Sequence, residues 1–436
     1  MTKFVERHIS KQILKNFEDI ESVFINGARQ AGKSTFVKDF SKHFNKHFYF
    51  SFDDLITRAN EINSPGISFR DITEGLIILD EIQLVPDSFM AIKTKIDDIR
   101  KKKQKVKFLM TGSADIMLIP QLSQCNCRAS GCSCSGDIML MPHLAQALTG
   151  RMYIKTMYPF SCDEIMKTRG TFIENIFDHP PKTTNKFDNT SVEKMIYKAT
   201  FPKLSLEIKD KTQWCQNYIS TIFERDIKNL SDIDKLEALP QLMSLFANRV
   251  GRLLNDTEIA NAAKLSLMTA RRYRSFLGGI FLISTMQPWL KDIKKRLVKA
   301  PKIYFNDTML LCHILGLDPQ EIAEKRPDLY GFILENFAAS EIRKQLSLLS
   351  DGSIYHFKTQ DQKEIDFIVE KRNGDFLAIE VKASHTVFPE DFKNIKFLKK
   401  EFPKNFVRGI VLYQGDKTLQ FEDDIFAMPI QALWEF

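Results

Sequence analysis

The sequence of 436 residues lacks any apolar run that approaches the roughly 18–20 residues needed to cross a bilayer as a helix. It also lacks a secretory signal: its N-terminal segment carries charges throughout and places apolar residues at positions 4, 5, 9, 13, 14 and 17, as an amphipathic helix does. Seven cysteines without a secretory segment favour a reducing compartment. We therefore expect a cytoplasmic protein without a membrane partner.

No charge of one sign is in large excess either. The net charge of +7 permits nucleic-acid binding but does not require it. An apolar content of 44% with 27% charged residues is typical of a globular protein. The chain is too long for one hydrophobic core, so we expect two or three domains.

Residues 27–34 match the phosphate-binding pattern GxxxxGK[ST], with an apolar stretch at 23–25 before it and a helix-like segment at 35–44 after it. In this strand–loop–helix arrangement the backbone N–H groups and the helix N-terminus surround the phosphates of a nucleotide such as ATP. Lys33 would reach the phosphates, and the Ser34 hydroxyl would bind Mg²⁺. The expected nucleotide-binding residues of this segment are Gly27, Ala28, Arg29, Gln30, Ala31, Gly32, Lys33, Ser34 and Thr35.

A second motif ends in two acids, Asp80 and Glu81, after the apolar run at 76–79. Ligands of open α/β sheets bind at the carboxyl ends of strands, so both acids should face the nucleotide. Asp80 would hold Mg²⁺, and Glu81 would polarise the attacking water. The alternative is a surface strand that ends in two solvated acids.

A third apolar strand is predicted at 106–111, and it ends in small hydroxyl residues. Thr111 or Ser113 would sense the γ-phosphate or position the water, and we count Ser113 among the nucleotide-binding residues. Either residue could equally belong to an ordinary turn.

A repeated segment follows this strand. Residues 113–124 recur as 135–146 with eight of twelve positions identical, which indicates a tandem duplication or an insert at 115–136. The four cysteines between the copies suit either a disordered insert or a metal site. Structural zinc sites favour two to four residues between paired cysteines, whereas one residue separates each pair here; the cysteines are Cys125, Cys127, Cys132 and Cys134.

Two short helices joined by a turn are predicted at 257–263 and 265–274. The second helix carries arginines that would face DNA phosphates in a helix-turn-helix. The same module could instead serve protein packing. The residues concerned are Thr269, Arg271, Arg272 and Arg274.

The C-terminal region combines a helical acid, Glu335, with two predicted strands joined by a hairpin turn at 373–374. Asp366 lies in the first strand. Glu380 and Lys382 lie on one face of the second strand because side chains alternate with a period of two. The alternative is an ordinary salt-bridged strand pair.

The order of these motifs resembles one branch of the AAA+-like ATPases, prokaryotic proteins with a winged-helix region and a C-terminal domain of unknown function. The matching segments, in chain order, are GARQAGKST, LIILDEIQ, FLMTGSADIML, LAQALTGR with YPFSCDEI, YISTIFERDI, GFILENFAASEI, EIDFIVE and AIEVKAS. The resemblance implies a helical lid over the nucleotide near residue 218. It also implies a role for Arg151, at the Gly-Arg position of the branch, in contacting the γ-phosphate, within the chain or from a neighbour; the alternative is a surface ion pair. Arg29 is shared with the branch.

The acid and the Glu-x-Lys pair of the C-terminal region resemble the PD-(D/E)xK restriction-endonuclease-like fold, although the proline before Asp366 is absent. The resemblance implies that Asp366 and Glu380 bind Mg²⁺, that Lys382 orients or activates water, and that Glu335 supports the metal. Fold does not imply function, so an active nuclease and a degenerate binding domain both stay open.

We therefore predict an α/β protein: a P-loop parallel-sheet ATPase core at 1–165, a linker and helical lid at 166–235, a winged-helix-like module at 236–300, and a nuclease-like α/β domain at 301–436. The expected function is ATP hydrolysis with ATP and Mg²⁺, acting on or regulated by DNA or another nucleic acid. The alternative is a regulatory switch that binds protein partners. The sequence does not reveal the oligomeric state.

Overall fold

The computed structural model describes residues 4–113, 148, 150–183, 187, 190–224, 238–289 and 300–436. The repeat and its four cysteines lie outside these residues, apart from Ser113. None of the helices in the described ranges combines the length and the apolar character needed to cross a bilayer.

The N-terminal part of the chain forms a five-stranded sheet with strand order β2-β3-β4-β1-β5, in which every neighbouring pair is parallel. Apolar strands packed on both faces give two core clusters, one on each side of the sheet. The strands predicted at 23–25, 76–79 and 106–111 are confirmed. The elements are α1 (Ile9–Asp19), β1 (Ser22–Asn26), α2 (Lys33–Phe40), β2 (His47–Ser51), α3 (Leu55–Asn63), β3 (Glu74–Asp80), α4 (Ser88–Lys102), β4 (Lys105–Thr111) and β5 (Met152–Thr156).

A helical region follows the sheet and ends in a two-stranded antiparallel hairpin, β6–β7. The two helices predicted around residues 257–274 are confirmed as α11 and α12. The hairpin crosses the domain boundary that we predicted at residue 300, because β7 pairs back onto β6. The elements are α5 (Cys162–Met166), α6 (Phe172–Asp178), α7 (Val192–Lys198), α8 (Pro202–Leu206), α9 (Lys211–Ile222), α10 (Ala238–Ala247), α11 (Asp256–Ala262), α12 (Leu267–Gly279), β6 (Ile283–Met286) and β7 (Lys302–Phe305).

The C-terminal part forms a mixed six-stranded sheet with strand order β12-β13-β11-β10-β9-β8. Strands β8, β9 and β10 are antiparallel, whereas β10, β11 and β13 run parallel. The predicted turn at 373–374 joins β9 to β10, with Gly374 at φ +89°. The elements are α13 (Thr308–Ile314), α14 (Ile322–Lys325), α15 (Pro327–Leu348), β8 (Ser353–Lys358), β9 (Glu364–Glu370), β10 (Phe376–Val381), α16 (Lys393–Glu401), β11 (Phe406–Tyr413), β12 (Leu419–Glu422), β13 (Ile425–Pro429) and α17 (Ala432–Glu435).

One apolar core joins the helical region to the C-terminal sheet, and it also includes Ala28 and Ala31 of the phosphate loop. The long helix α15 lies in this core and is buried along most of its length. The α/β class, with a parallel sheet first and a separate mixed sheet last, is as predicted.

Candidate functional site

The phosphate loop lies between the end of β1 and the start of α2, and its two glycines adopt positive φ angles. A Cβ on Gly27 (φ +148°) would lie 2.2 Å from the carbonyl oxygen of Met157, so only glycine fits there. Gly32 (φ +93°) caps α2 and packs against Pro202 at the start of α8. Helix α8 of the predicted lid region therefore lies directly on the loop.

A cavity of about 550 Å³ opens at this loop, and its lining includes Lys33, Ser34, Thr35 and Glu81. Lys33 is buried, and its ammonium donates to the carbonyl oxygens of Gly27 (2.8 Å) and Ala28 (2.9 Å). The motif thus brings a lysine, two hydroxyls and a carboxylate to one space. A cavity of this size suits a nucleotide.

Asp80 lies at the carboxyl end of β3 and is held by two neighbouring strands. The hydroxyl of Tyr49 on β2 donates to Oδ2 over 2.7 Å, and the Thr111 hydroxyl on β4 donates to Oδ1. Burial and the Asp80 carboxylate raise the pKa of the Tyr49 hydroxyl, which therefore remains a donor. Both bonds fix the direction of the carboxylate.

Glu81 adopts a left-handed backbone conformation (φ +58°), which is uncommon for a residue with a side chain. Its N–H donates to the Thr111 hydroxyl over 3.1 Å. Its Oε2 accepts a hydrogen bond from Nε2 of Gln83, which also donates to the Ser113 hydroxyl over 3.1 Å. Gln83 therefore bridges the two residues that the sequence assigned to water activation and phosphate sensing.

Arg7 anchors the loop from outside, a role that no sequence motif predicted. Its Nη1 donates to the Ala31 carbonyl (3.0 Å), and its Nη2 donates to the Tyr158 carbonyl (2.6 Å). Its Nε bonds Oε1 of Glu164 on α5 over 2.9 Å. The buried guanidinium thus ties the loop to the helical region.

Arg151 does not lie at this cavity, which corrects the prediction that it reaches the γ-phosphate of its own chain. It precedes Met152, which pairs with Ser22 at the amino end of β1, whereas the loop follows the carboxyl end of that strand. Its Nε bonds Oδ1 of Asp97 over 2.9 Å, as the ion-pair alternative expected. About 20 Å of strand separates it from the loop, at about 3.3 Å per residue.

A second group of polar side chains lies at the C-terminal sheet, and Lys302 of β7 is at its centre. The Lys302 ammonium bonds Oε1 of Glu335 (2.9 Å) and Oε1 of Glu364 (2.8 Å), and it lies 3.7 Å from Oδ1 of Asp366. Tyr304 also donates to Oε1 of Glu335, over 2.6 Å. We call these five residues and Glu380 the acidic cluster.

The charges of the acidic cluster shift each other. Burial disfavours the charged form of Lys302, but Glu335, Asp366 and Glu364 outweigh it and raise the pKa of the ammonium. Burial and then Asp366 raise the pKa of Glu335 to about 7 and that of Glu380 to about 8. The cluster therefore keeps its lysine charged and favours the neutral form of its buried glutamates.

Glu380 and Lys382 lie on one face of β10 as predicted, with the Lys382 ammonium 3.3 Å from Oε1 of Glu380. Asp366 accepts a hydrogen bond at Oδ2 from the Val381 N–H over 2.9 Å. Oε2 of Glu380 is buried without a hydrogen-bond partner. The structure thus brings together all four residues that the resemblance assigned to this site, and adds Lys302 among them.

The acidic cluster holds a lysine where the resemblance implies a metal ion, and the assignment of Glu335, Asp366 and Glu380 as metal ligands stays a prediction. Mg²⁺ requires a near-octahedral set of oxygen ligands, and the lysine ammonium already bonds Oε1 of Glu335. Among the described residues, no three His, Cys, Asp or Glu side chains are grouped to hold a metal ion.

The arginines predicted to face DNA are partly committed to other contacts. Nε of Arg271 bonds Oδ2 of Asp256 over 2.9 Å, and Nε of Arg274 bonds Oδ1 of the same residue over 3.2 Å. Both contacts join α12 to the first residue of α11. These ion pairs hold the two helices together, and they occupy guanidinium groups that would otherwise be available to DNA phosphates.

Three family models match parts of the chain. The model described as an AAA domain matches residues 19–133. Two models described as domains of unknown function, DUF8612 and DUF4143, match residues 189–321 and 330–433. The DUF8612 match includes β7, so it too crosses the boundary predicted at residue 300.

Similar sequences and structures are known from other organisms. An uncharacterized protein of Mycobacterium tuberculosis is 25% identical over 415 residues, which are 94% of this chain and 80% of that protein. One of Methanocaldococcus jannaschii is 20% identical over 454 residues, covering 100% of this chain and 91% of that protein. A Walker-type ATPase of Pyrococcus abyssi superimposes with a TM-score of 0.39 at 12% identity, covering 72% of this chain and 96% of that one. The Orc1 protein of Aeropyrum pernix, solved in complex with DNA, gives 0.27 at 12% identity, covering 73% and 94%.

The match to the AAA-domain model, the parallel sheet and the position of the loop between β1 and α2 are consistent with one another. Residues 19–133 match the AAA-domain model, and the parallel sheet with its loop between β1 and α2 has the arrangement of a P-loop ATPase core.

Proposed function

We propose that the chain is an ATP-hydrolysing switch whose C-terminal domain binds a partner instead of cutting nucleic acid. The observation that carries the proposal is the cavity at the phosphate loop, in which Lys33, Ser34 and Glu81 face the same space. Binding of a nucleotide does not require a carboxylate at the end of the neighbouring strand, whereas hydrolysis requires a group that accepts a proton from water. Glu81 supplies that carboxylate.

The roles of the residues follow from their positions. Lys33 and the N-terminus of α2 would neutralise the β- and γ-phosphates. Glu81, oriented by Gln83, would accept the proton of the attacking water. Ser113, bonded to the same glutamine, would contact the γ-phosphate. Ser34 and Asp80 would hold Mg²⁺, which supplies positive charge against the phosphates.

Helix α15 provides the connection from the nucleotide cavity to the C-terminal domain. Its Glu341 accepts the N–H of Cys162 over 2.8 Å, and its Lys344 donates to the carbonyl of Phe160, which lines the cavity, over 2.9 Å. Two turns earlier the same helix carries Glu335 of the acidic cluster. We infer that the nucleotide state reaches the C-terminal domain through this buried helix.

The binding role of the C-terminal domain is supported by a second cavity of about 590 Å³. Its lining includes Ala383, Gln414 and Pro429, which lie at the carboxyl ends of the parallel strands β10, β11 and β13. Ligands of α/β sheets bind at that edge. Tyr330 and His385 add one aromatic and one titratable side chain.

A protein partner fits the surface better than DNA does. Arg271 and Arg274 of α12 are paired with Asp256, whereas α3 beside the N-terminal sheet exposes Leu55 (68%), Ile56 (73%) and Ile62 (56%). Helix α3 buries Glu61 instead. Apolar side chains displayed in this way are typical of protein contacts and not of phosphate contacts.

The test is the rate of phosphate release from ATP. We expect turnover by the unmodified chain and its loss in Lys33→Ala, whereas the control Lys42→Ala, an exposed lysine just after the same helix, should keep it. Duplex DNA should change the rate less than about twofold if the arginines stay paired. Absence of turnover, or equal rates for Lys33→Ala and the control, would overturn the ATPase. Strong stimulation by DNA would overturn the protein-partner proposal.

A further inference from the structure

Lys302 is buried more completely than a lysine normally is. Its side chain is 1% exposed, and three carboxylates lie within 4.0 Å of its ammonium. Lysine is almost never fully buried unless it is paired, because its charge must be removed from water. The carboxylates of Glu335, Glu364 and Asp366 replace that water.

The hairpin β6–β7 delivers the lysine from outside the C-terminal sheet. Lys302 and Tyr304 are two residues apart on β7, so their side chains point to the same face, and both bond Oε1 of Glu335 on α15. Gly251 (φ +70°) packs closely against this glutamate: a Cβ at that position would lie only 2.8 Å from Oε2 of Glu335. The glutamate is thus enclosed by the helical region and fixed on the lysine.

The other two acids come from β9 of the C-terminal sheet. Glu364 also bonds Lys358 over 2.8 Å at its second oxygen, and Asp366 accepts the Val381 N–H at its second oxygen. Each of these carboxylates has one oxygen near Lys302 and the other on a different donor. The oxygens that Glu364 and Asp366 could offer a divalent cation therefore already have donors or a cation beside them.

We propose that the Lys302 ammonium is the resident cation of the acidic cluster, in place of the metal ion that nuclease-like domains use there, and that it fastens the β6–β7 hairpin to the C-terminal domain. A cation on a side chain leaves no exchangeable position for water or a phosphate oxygen. The domain then keeps the acid pattern of a nuclease without its metal chemistry. This deepens the proposed binding role of the domain and rests on it.

The first test measures Mn²⁺ binding to the nucleotide-free full-length chain. The electron paramagnetic resonance signal of free Mn²⁺ reports how much of the ion is bound. We expect Asp366→Asn to leave the binding of the unmodified chain unchanged, because the cluster holds no metal. We expect Lys302→Met, which keeps the chain length and removes the charge, to gain a site at least about tenfold tighter than any in the unmodified chain. That site should disappear in the double variant Lys302→Met/Asp366→Asn.

Two results would overturn the proposal. The first is Mn²⁺ binding by the unmodified chain that Asp366→Asn removes, which would show a metal site beside the lysine. The second is a folded Lys302→Met protein that binds no more Mn²⁺ than the unmodified chain, which would make the lysine an ordinary buried ion pair. ATP is absent from both measurements, so a failure here is distinct from a failure of the ATPase proposal.

Removing a buried charge can also unfold the region, so a matched variant accompanies the test. Lys302→Met/Glu335→Gln removes the lysine together with the carboxyl group of its glutamate partner on α15. We expect this double variant to unfold at a higher temperature than Lys302→Met alone. An equal or lower unfolding temperature would contradict a fastening role for the lysine–glutamate contact.

Discussion

Gln83 offers the sharpest test of how the nucleotide cavity is organised. Its Nε2 donates to both Oε2 of Glu81 and the hydroxyl of Ser113, so it is the side chain that orients the proposed base. We expect Gln83→Leu, which keeps the approximate volume and removes the donor, to lower kcat for ATP hydrolysis and to leave KM for ATP nearly unchanged. The phosphate loop does not contact Gln83 in any of the described hydrogen bonds.

The magnitude follows from the type of bond. A hydrogen bond to a charged group contributes about 1.5–3 kcal/mol. If that bond orients Glu81 in the transition state, its loss lowers kcat by about 10- to 100-fold, since about 1.4 kcal/mol corresponds to a factor of ten.

The assay is steady-state phosphate release at varied ATP concentration. Gln213→Leu on α9 is a suitable control, because it removes an exposed glutamine that bonds only a neighbouring side chain, Asn217, over 3.0 Å. A kcat within about twofold of the unmodified chain would refute the positioning role. A faster Gln83→Leu protein would refute it as well, because Gln83 would then restrain Glu81 instead of aiming it.

Three further predictions concern buried polar contacts of the N-terminal part of the chain. Glu61→Ala should lower the free energy of unfolding of the N-terminal domain by about 3 kcal/mol or more in urea titrations, because its buried carboxylate accepts four hydrogen bonds; an effect near zero would contradict that role. Arg7→Met should raise KM for ATP about tenfold, because the Ala31 carbonyl loses its anchor, and an unchanged KM would contradict this. Burial lowers the pKa of His8, but the hydrogen bond to Asp163 and the charges of Asp163 and Glu164 together outweigh it and raise the pKa overall. This contact therefore stabilises the fold fully below pH 6.5, and its contribution is lost as the pH rises through the raised value. The stability difference between the unmodified chain and His8→Asn, measured by thermal unfolding, should therefore shrink from pH 6 to pH 9 by at most about 1 kcal/mol, and a growing difference would contradict the assignment.

The parts of the fold that the sequence predicted are those set by local patterns. The phosphate loop has a fixed spacing, and the strands before Gly27 and Asp80 are continuous apolar runs of the kind that parallel sheets bury. The turn at 373–374 carries the Asn-Gly signal of a tight hairpin. Each of these signals lies within about ten residues of chain.

The parts that the sequence missed depend on contacts between distant residues. Lys302 lies 62 positions before Glu364 and follows a run rich in lysine and arginine, so it looks like one more solvated cation. Arg7 lies 157 positions before Glu164 and sits at the edge of an amphipathic segment that needs no arginine. Only the packing of the helical region against both sheets shows that these two charges are buried.

The described geometry differs from the sequence predictions in two further places. Arg151 matches a family position, but it lies at the amino end of β5, opposite the strand ends that carry the phosphate loop. A motif does not reveal at which end of a strand its residues lie. The boundary at residue 300 divides the β6–β7 hairpin, in which residues on both sides of that position pair with each other. Gln83, by contrast, lies within the segment LIILDEIQ. Its position two residues after Glu81 could have marked it as a candidate site residue from the sequence alone.

The most direct test of the central claim is a single-turnover measurement with Glu81→Gln. Radiolabelled ATP is mixed with excess protein and quenched in acid at successive times, and nucleotide binding is measured in parallel. We expect the variant to bind ATP as tightly as the unmodified chain and to cleave it at least about 100-fold more slowly, because the amide cannot accept the proton of water. Cleavage at the unmodified rate would contradict the assignment of Glu81 as the base and, with it, the switch proposed for this chain.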